Sequence, residues 1–210
     1  DLTYDAFCGD NIGNHFLVKA GMCTGDNNKF IVLWPEVDFT KSSIATSHYL
    51  YTPHNKGGDF RKWYGNRNYF LKYSKESLTA MGKNAGFRHD GKEYFQPHIG
   101  WSKITSAKFS FRYYEDGFTF DSAGLGLFAK ESALYPTLAF LNSKVSESMI
   151  SILNPTLNVT PLIVKELPYN EADVSDLVEH CISLSKSDWD SFETSWDFKT
   201  HPLVELRLSG

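Results

Sequence analysis

Apolar positions along this chain change rhythm about two thirds of the way through. The first part carries short runs. FIVLWPEV (30–37) reads as a buried strand ending near Pro35, and RNYFLKY (67–73) as another. TGDNNK, just before the first run, is a polar turn rich in residues that tolerate positive φ. Residues 76–91 hold three glycines and little periodicity, which predicts irregular structure. FSFRYY (109–114) alternates, meets the turn signal EDG and continues as FTFD, which predicts a β-hairpin. Later the spacing turns helical. Leu134, Leu138, Leu141, Val145, Met149 and Ile152 predict one helix over 134–153, with Pro136 in its first turn and Pro155 as its stop. Val174, Leu177, Val178, Cys181, Ile182 and Leu184 predict a second over 173–187, with Asp173 as N-cap. SDWDSFETSWDF predicts the start of another short helix. Strands first and helices last give an α+β chain: a mixed, largely antiparallel sheet followed by C-terminal helices.

The 210 residues are 41% apolar and 15% aromatic, enough for one sizeable core with an appended helical segment. No run of 18 apolar residues exists to span a membrane. The opening DLTYDAFCGD has no initiator Met and no leader-like pattern, so the expectation is a piece of a longer, cytoplasmic protein. Cys8, Cys23 and Cys181 lack metal-like spacing and read as packed thiols. The net charge of −4 hides a split: −4 over residues 1–40, +9 over 41–113 and −9 over 114–210. A basic middle third suggests a polyanion partner, against the plainer alternative of a solvated face.

Catalytic motifs fail on inspection. GGDF (57–60) lacks the acidic continuation and the surrounding carboxylates of cyclic-dinucleotide synthases. G-L-G (124–126) lacks the third glycine of a dinucleotide loop. NPT (154–156) lacks the second proline and the aromatic of an amino-methyltransferase motif, and reads as a helix stop. The seven histidines are scattered, so neither a catalytic nor a metal constellation is expected. Polyanion-binding chemistry is better supplied. In PHNKGGDFRKWYGN (53–66), Lys56, Arg61 and Lys62 supply charge, while Gly57 and Gly58 let the backbone approach a phosphate. Ser102, Lys103, Thr105, Ser106 and Lys108 form a second basic, hydroxyl-rich run after Trp101. Asn27, Asn28, Asn55 and Asn66 are amides suited to base edges. Trp63 either stacks on a base or staples the loop to the core, and the staple is the better reading.

TGDNNKF (24–30), PHNKGGDFRKWYGN (53–66), GWSKITSAKFSFRYYEDGFTFD (100–121), LAFLNSKV (138–145), LNPTLN (153–158) and DWDSFETSWDFKTHPL (188–203) occur in this order. Together they resemble the region beyond the catalytic domain in adenine-specific DNA methyltransferases of the BREX phage-defence system, the PglX family. More loosely they resemble the specificity domains of single-chain restriction-modification methyltransferases. VTPLIVKELP (159–168) departs from the Gly-Asp-Ile-like turn that family carries there.

The resemblance implies a target recognition domain over 1–168 and the start of a helical spacer over 169–210. A separate methyltransferase domain, outside this stretch, would bind S-adenosylmethionine and flip the adenine. It implies double-stranded DNA, that parent domain and other BREX subunits as partners. It also implies backbone contacts from Lys56, Gly57, Gly58, Arg61, Lys62, Ser102, Lys103 and Lys108. Base readout is expected from Asn27 and Asn28, and from the less familiar stretch 74–98 through Lys83, Asn84, Arg88, His89 and Gln96. Plainer structural roles stand beside these: a salt bridge from Arg61 to Asp59 or Glu76, turn capping by Asp26, and packing for Trp189, Phe192, Trp196 and Phe198. A protein-interaction scaffold docking other defence subunits is the alternative function.

Overall fold

A computed structural model describes residues 7, 9–84, 86–87, 91–105, 108–154, 156–169 and 174–208. Cys8, Arg88, His89, Ser106, Pro155 and Asp173 lie outside these residues. Among the described residues the strands are β1 (Leu17–Lys19), β2 (Ile31–Leu33), β3 (Tyr51–Asn55), β4 (Tyr69–Lys72), β5 (His98–Ser102), β6 (Phe111–Tyr114), β7 (Thr119–Phe120) and β8 (Gly124–Phe128). They form two four-stranded sheets, ordered β1-β8-β5-β6 and β2-β4-β3-β7. Every pairing is antiparallel except β3 with β7. The α+β reading holds, with two sheets in place of one.

The G-L-G of β8 explains how the sheets approach. Leu125 and Leu127 point into the first core with Ile99, Trp101 and Phe111. Gly126 lies opposite Gly100 in register. A Cβ at Gly100 would come within 2.5 Å of Asn55 Nδ2 and of the Tyr114 ring, and one at Gly124 within 2.4 Å of the Asn55 carbonyl. The glycines let β3 of the second sheet lie against β5 and β8, and Phe120 and Phe128 belong to the second core beside them.

The hairpin expected over 109–121 does not form. The EDG turn is present, with Gly117 at φ 93°. However, β6 joins the first sheet and β7 the second. The edge of β6 that a hairpin partner would use is occupied by Trp63, whose N–H donates to Phe111 O and whose carbonyl accepts from Tyr113 N, both at 2.9 Å. Alternation located the strand but not its neighbour.

The helices are α1 (Ile12–His15), α2 (Asn27–Phe30), α3 (Lys75–Met81), α4 (Glu131–Leu141), α5 (Lys144–Leu153), α6 (Pro161–Lys165), α7 (Ser175–Asp190) and α8 (Pro202–Leu208). Three expectations are corrected. The stretch read as irregular contains α3, because Ser74 caps it by accepting from Ser77 N. The long helix is two helices, with Pro136 inside α4 and not in its first turn. It breaks at Asn142–Ser143, where Ser143 caps α5 and buried Asn142 accepts from Phe111 N (3.1 Å) and donates to Phe111 O (2.9 Å). Removing that clamp with Asn142→Ala leaves the buried Phe111 N–H unpaired, while Phe111 O keeps the Trp63 N–H, and chemical denaturation should register a loss of about 1 kcal/mol. Finally, 191–197 is a series of turns after α7, not a helix. Residues 161–165, where the family's turn was expected, form α6, with Pro161 at its first position and Val164 buried.

Candidate functional site

The segment 55–67 is an ordered loop built on unusual backbone. Gly57 (φ 76°), Gly58 (134°), Trp63 (70°), Gly65 (123°) and Asn66 (56°) all lie at positive φ. A side chain such as tryptophan rarely adopts this conformation, and the two ladder bonds of Trp63 to β6 hold it there. Trp63 also packs on the first core, so it is the staple. Gly57 is buried and faces Ser102, where a Cβ would lie 3.0 Å from Oγ. The backbone approach that these glycines permit is therefore to β5.

Side chains tie this loop down. Ser102 Oγ accepts from Gly58 N (2.9 Å) and donates to Gly58 O (2.6 Å). Asn66 donates to Asp59 O, and Arg112 to Arg61 O. Ser110 Oγ accepts from Arg61 N. Asn55 Oδ1 accepts from Gly57 N. The turn after β7 is organised by buried Asp121, whose Oδ1 accepts from Ala123 N and Gly124 N. Burial opposes its ionisation, but the nearby His54 imidazole, the Gly124 N–H and the Lys56 ammonium hold its carboxyl well below the usual carboxylate range. D-S-A-G is a recognisable Asx-turn sequence, and its carboxylate was missed as an organiser of this region.

These elements enclose a groove of about 470 Å³. One wall is Lys56 and Gly58–Phe60, the other Ser102–Thr105, and Ser122 and Ala123 close the end. Two of the segments singled out in the sequence thus meet, although they are separated by some forty residues. The expected cations divide. Lys56 Nζ lies 3.2 Å from Asp121 Oδ2. Arg61 pairs with Asp188 at 2.8 Å, not with Asp59 or Glu76, and lies over the Trp189 ring. Lys62 donates to Asn142 O. Arg67 and Arg112 are buried. Asp121 and Asp188, with Glu115 as the partner of Arg67, come from the acidic last third, so Lys56, Arg61 and Arg67 of the +9 block are paired with it. Lys103 is exposed at the groove, and Lys108 is exposed with Glu147 only 3.7 Å away. Asp59 places one carboxylate on the groove wall opposite Lys103.

The candidate base-reading residues fall in two places. Asn27 and Asn28 are exposed on α2, which Asp26 caps. Asn84 donates to Cys23 O, and its side chain lies against Gly25. That joins these amides to the segment at Met22, which bridges Asp121 behind the groove. Lys83 is exposed just after α3. Gln96 is exposed before β5, at the opposite end of that strand from Lys103. Seven residues of extended chain, roughly 23 Å, separate it from the groove. Among the described residues, no cluster of His, Cys, Asp or Glu is arranged to hold a metal ion, and no helix is long and apolar enough to cross a membrane. Asn154 of NPT organises its own turn, accepting from Thr156 N and Oγ1.

A scan of protein-family models finds none that matches the chain. Curated relatives do match. One is adenine-specific methyltransferase PglX of Lacticaseibacillus casei (strain Zhang), 38% identical over 97% of this chain. Another is adenine-specific methyltransferase BrxX of Escherichia coli O9:H4 (strain HS), 34% identical over 90% of it. The chain spans 18% and 16% of their respective lengths.

Proposed function

We propose that this chain, homologous over nearly its whole length to one segment of the PglX and BrxX adenine-specific methyltransferases, is the DNA-gripping target recognition part of such an enzyme. In this reading residues 1–168 hold duplex DNA and 169–210 begin a helical spacer. A separate domain of the cytoplasmic parent enzyme supplies S-adenosylmethionine and methylates the adenine exocyclic amine, within a BREX phage-defence system.

The observation that carries the reading is the meeting of the 56–60 loop and the 102–105 run on one groove. Both walls are fixed by hydrogen bonds within the fold, so the exposed Lys103 ammonium is carried on a rigid rim, as positioning on a phosphate backbone requires. Lys103 and Lys108 are the backbone contacts it favours, with Lys56 at the rim, while Ser102 and Gly58 use their donors on each other and shape the wall. Arg61 and Lys62 support the loop through Asp188 and Asn142. Asn27, Asn28, Asn84 and Lys83, joined through Cys23 and Met22 to the Asp121 turn, are the proposed base readers.

Fluorescence anisotropy of the chain with a random-sequence duplex and a matched single strand, across salt concentrations, tests this. A protein neutralising ~6 phosphates loses roughly a thousandfold in affinity between about 50 and 200 mM salt. Lys103→Ala is expected to weaken binding to all sequences alike and to lower the salt slope by about 1. No duplex binding by a folded chain at low salt would sink the reading. A docking scaffold for other defence subunits is the second reading. The exposed Leu203, Val204 and Leu206 of α8 favour it. Of the 189–198 aromatics, exposed Phe192 adds to it, whereas Trp189 is buried and Trp196 packs on Phe39, Phe70 and Phe118.

A further inference from the structure

Phe60 stands out in this loop. Its ring is 45% exposed although it follows the buried Gly57 turn and precedes the buried Tyr64. The backbone on both sides of it is fastened: Gly58 by Ser102, Asp59 by Asn66, and Arg61 by Ser110 and Arg112. Four side chains thus fix the chain around a residue whose own ring is left out of the core. The ring borders two clefts at once. One is the groove carrying Lys103; the other, about 490 Å³, carries Arg61, Lys62 and Leu184. In the second cleft Arg61 and Lys62 are already held by Asp188 and Asn142, so phosphate fits the Lys103 groove, and an apolar tip at the rim of that groove faces the base step beside the gripped phosphate. Ile104, 67% exposed on the far lip, extends the apolar strip.

We infer that Phe60 is a wedge that seats against, and partly unstacks, a base step of the bound duplex. The inference rests on the DNA-binding reading above and adds to it how the loop meets the bases. An aromatic ring on fixed backbone loses little freedom when it stacks. The cost of unstacking falls when the target step is already weakened, so the wedge should prefer duplexes with a mismatch.

The test compares the unsubstituted chain with Phe60→Ala and Phe60→Trp, using a random-sequence duplex and the same duplex with one central mismatch. Circular dichroism checks that each variant is folded. Phe60→Ala is expected to lose roughly 10- to 100-fold in affinity at fixed salt. Its salt slope should be unchanged, because no phosphate contact is removed. The mismatch should tighten binding of the unsubstituted chain and of Phe60→Trp, and leave Phe60→Ala unaffected. If Phe60→Ala binds as tightly as the unsubstituted chain while salt dependence stays steep, the wedge is overturned and the DNA reading stands. An affinity loss with a reduced slope also overturns it, since the ring would then act by placing cations. If the unsubstituted chain shows no salt-dependent duplex binding, both fall.

Discussion

Glu115→Gln should destabilise the fold by about 2 kcal/mol, below the roughly 3–5 kcal/mol range for a fully buried ion pair because water reaches the carboxylate. Arg67 is the buried partner: its side chain is 1% exposed, against 45% for Glu115. The guanidinium lies 3.8 Å from the centre of the Tyr64 ring and also faces Tyr114 and Phe118. Both terminal nitrogens donate to the Glu115 carboxylate, and Nη2 also to Tyr113 O. Burial raises the Glu115 carboxyl, but Arg67 outweighs it and keeps the group ionised below its ordinary range. Glutamine keeps the shape and removes the charge, which strands a cation where water reaches it poorly. The midpoint of thermal unfolding should fall by roughly 4–8 °C. The double variant Arg67→Met/Glu115→Gln should recover part of the loss, because the stranded charge is gone. If the two losses simply add, the pair is not what matters.

Acidification from pH 6.5 to about 4 should remove about 3 kcal/mol through His98 alone. This residue is fully buried, stacked on Tyr114 at 5.0 Å and touching Phe120 and Phe128. Its Nδ1 lies 3.0 Å from Gln96 O, which can only accept, so Nδ1 carries the proton. Its Nε2 lies 3.4 Å from Asn55 Nδ2, which can only donate, because Asn55 Oδ1 accepts from Gly57 N. Neutral imidazole satisfies both neighbours; imidazolium sets two donors against each other. Burial lowers the ring to about 4, with the Gln96 bond opposing. The folded value lies below the unfolded one, so the unfolded chain takes up the proton first. Stability is therefore complete above pH 6.5 and falls as pH drops towards 4. The carboxylates of Asp121 and Glu115, also held low, begin to lose their contributions as pH falls through the ordinary carboxylate range. Urea midpoints between pH 7.5 and 4.5 should slope downwards with acid, and His98→Phe should flatten the slope. A variant with an unchanged slope would assign it to another group.

Local chemistry was legible in the sequence and long-range pairing was not. The β2 and β4 segments and the helix expected over 173–187, found at 175–190, follow from runs and spacing, whereas the stretch read as a polar turn at 24–29 runs into the short helix α2 that Asp26 caps. The β6–β7 hairpin failed because Trp63, nearly fifty residues earlier, competes for the same strand edge. The helix at 75–81 was hidden by the glycines after it, although Ser74 was there to cap it. At the candidate site, GGDF and SKIT were each recognisable as polyanion chemistry, but nothing local told which cations the fold would take for itself. Arg61 finds Asp188 across 127 positions, and Arg67 finds Glu115 across 48. Phe60 went unnoticed because an aromatic in a basic loop reads as core until its exposure is known.

The bond from Arg61 to Asp188, with Trp189 beneath the guanidinium, sets what can be transplanted. A recognition loop is an attractive part to exchange between related enzymes in order to redirect them. Moved alone, residues 55–67 would arrive in a host without the carboxylate and the indole on which Arg61 rests, and without the asparagine that receives Lys62. The smallest exchangeable cassette is discontinuous: the loop, the corner at Asn142, and the last turn of α7. Chimeras cut at the boundaries of the linear motif alone should be poorer donors than those that carry all three pieces together.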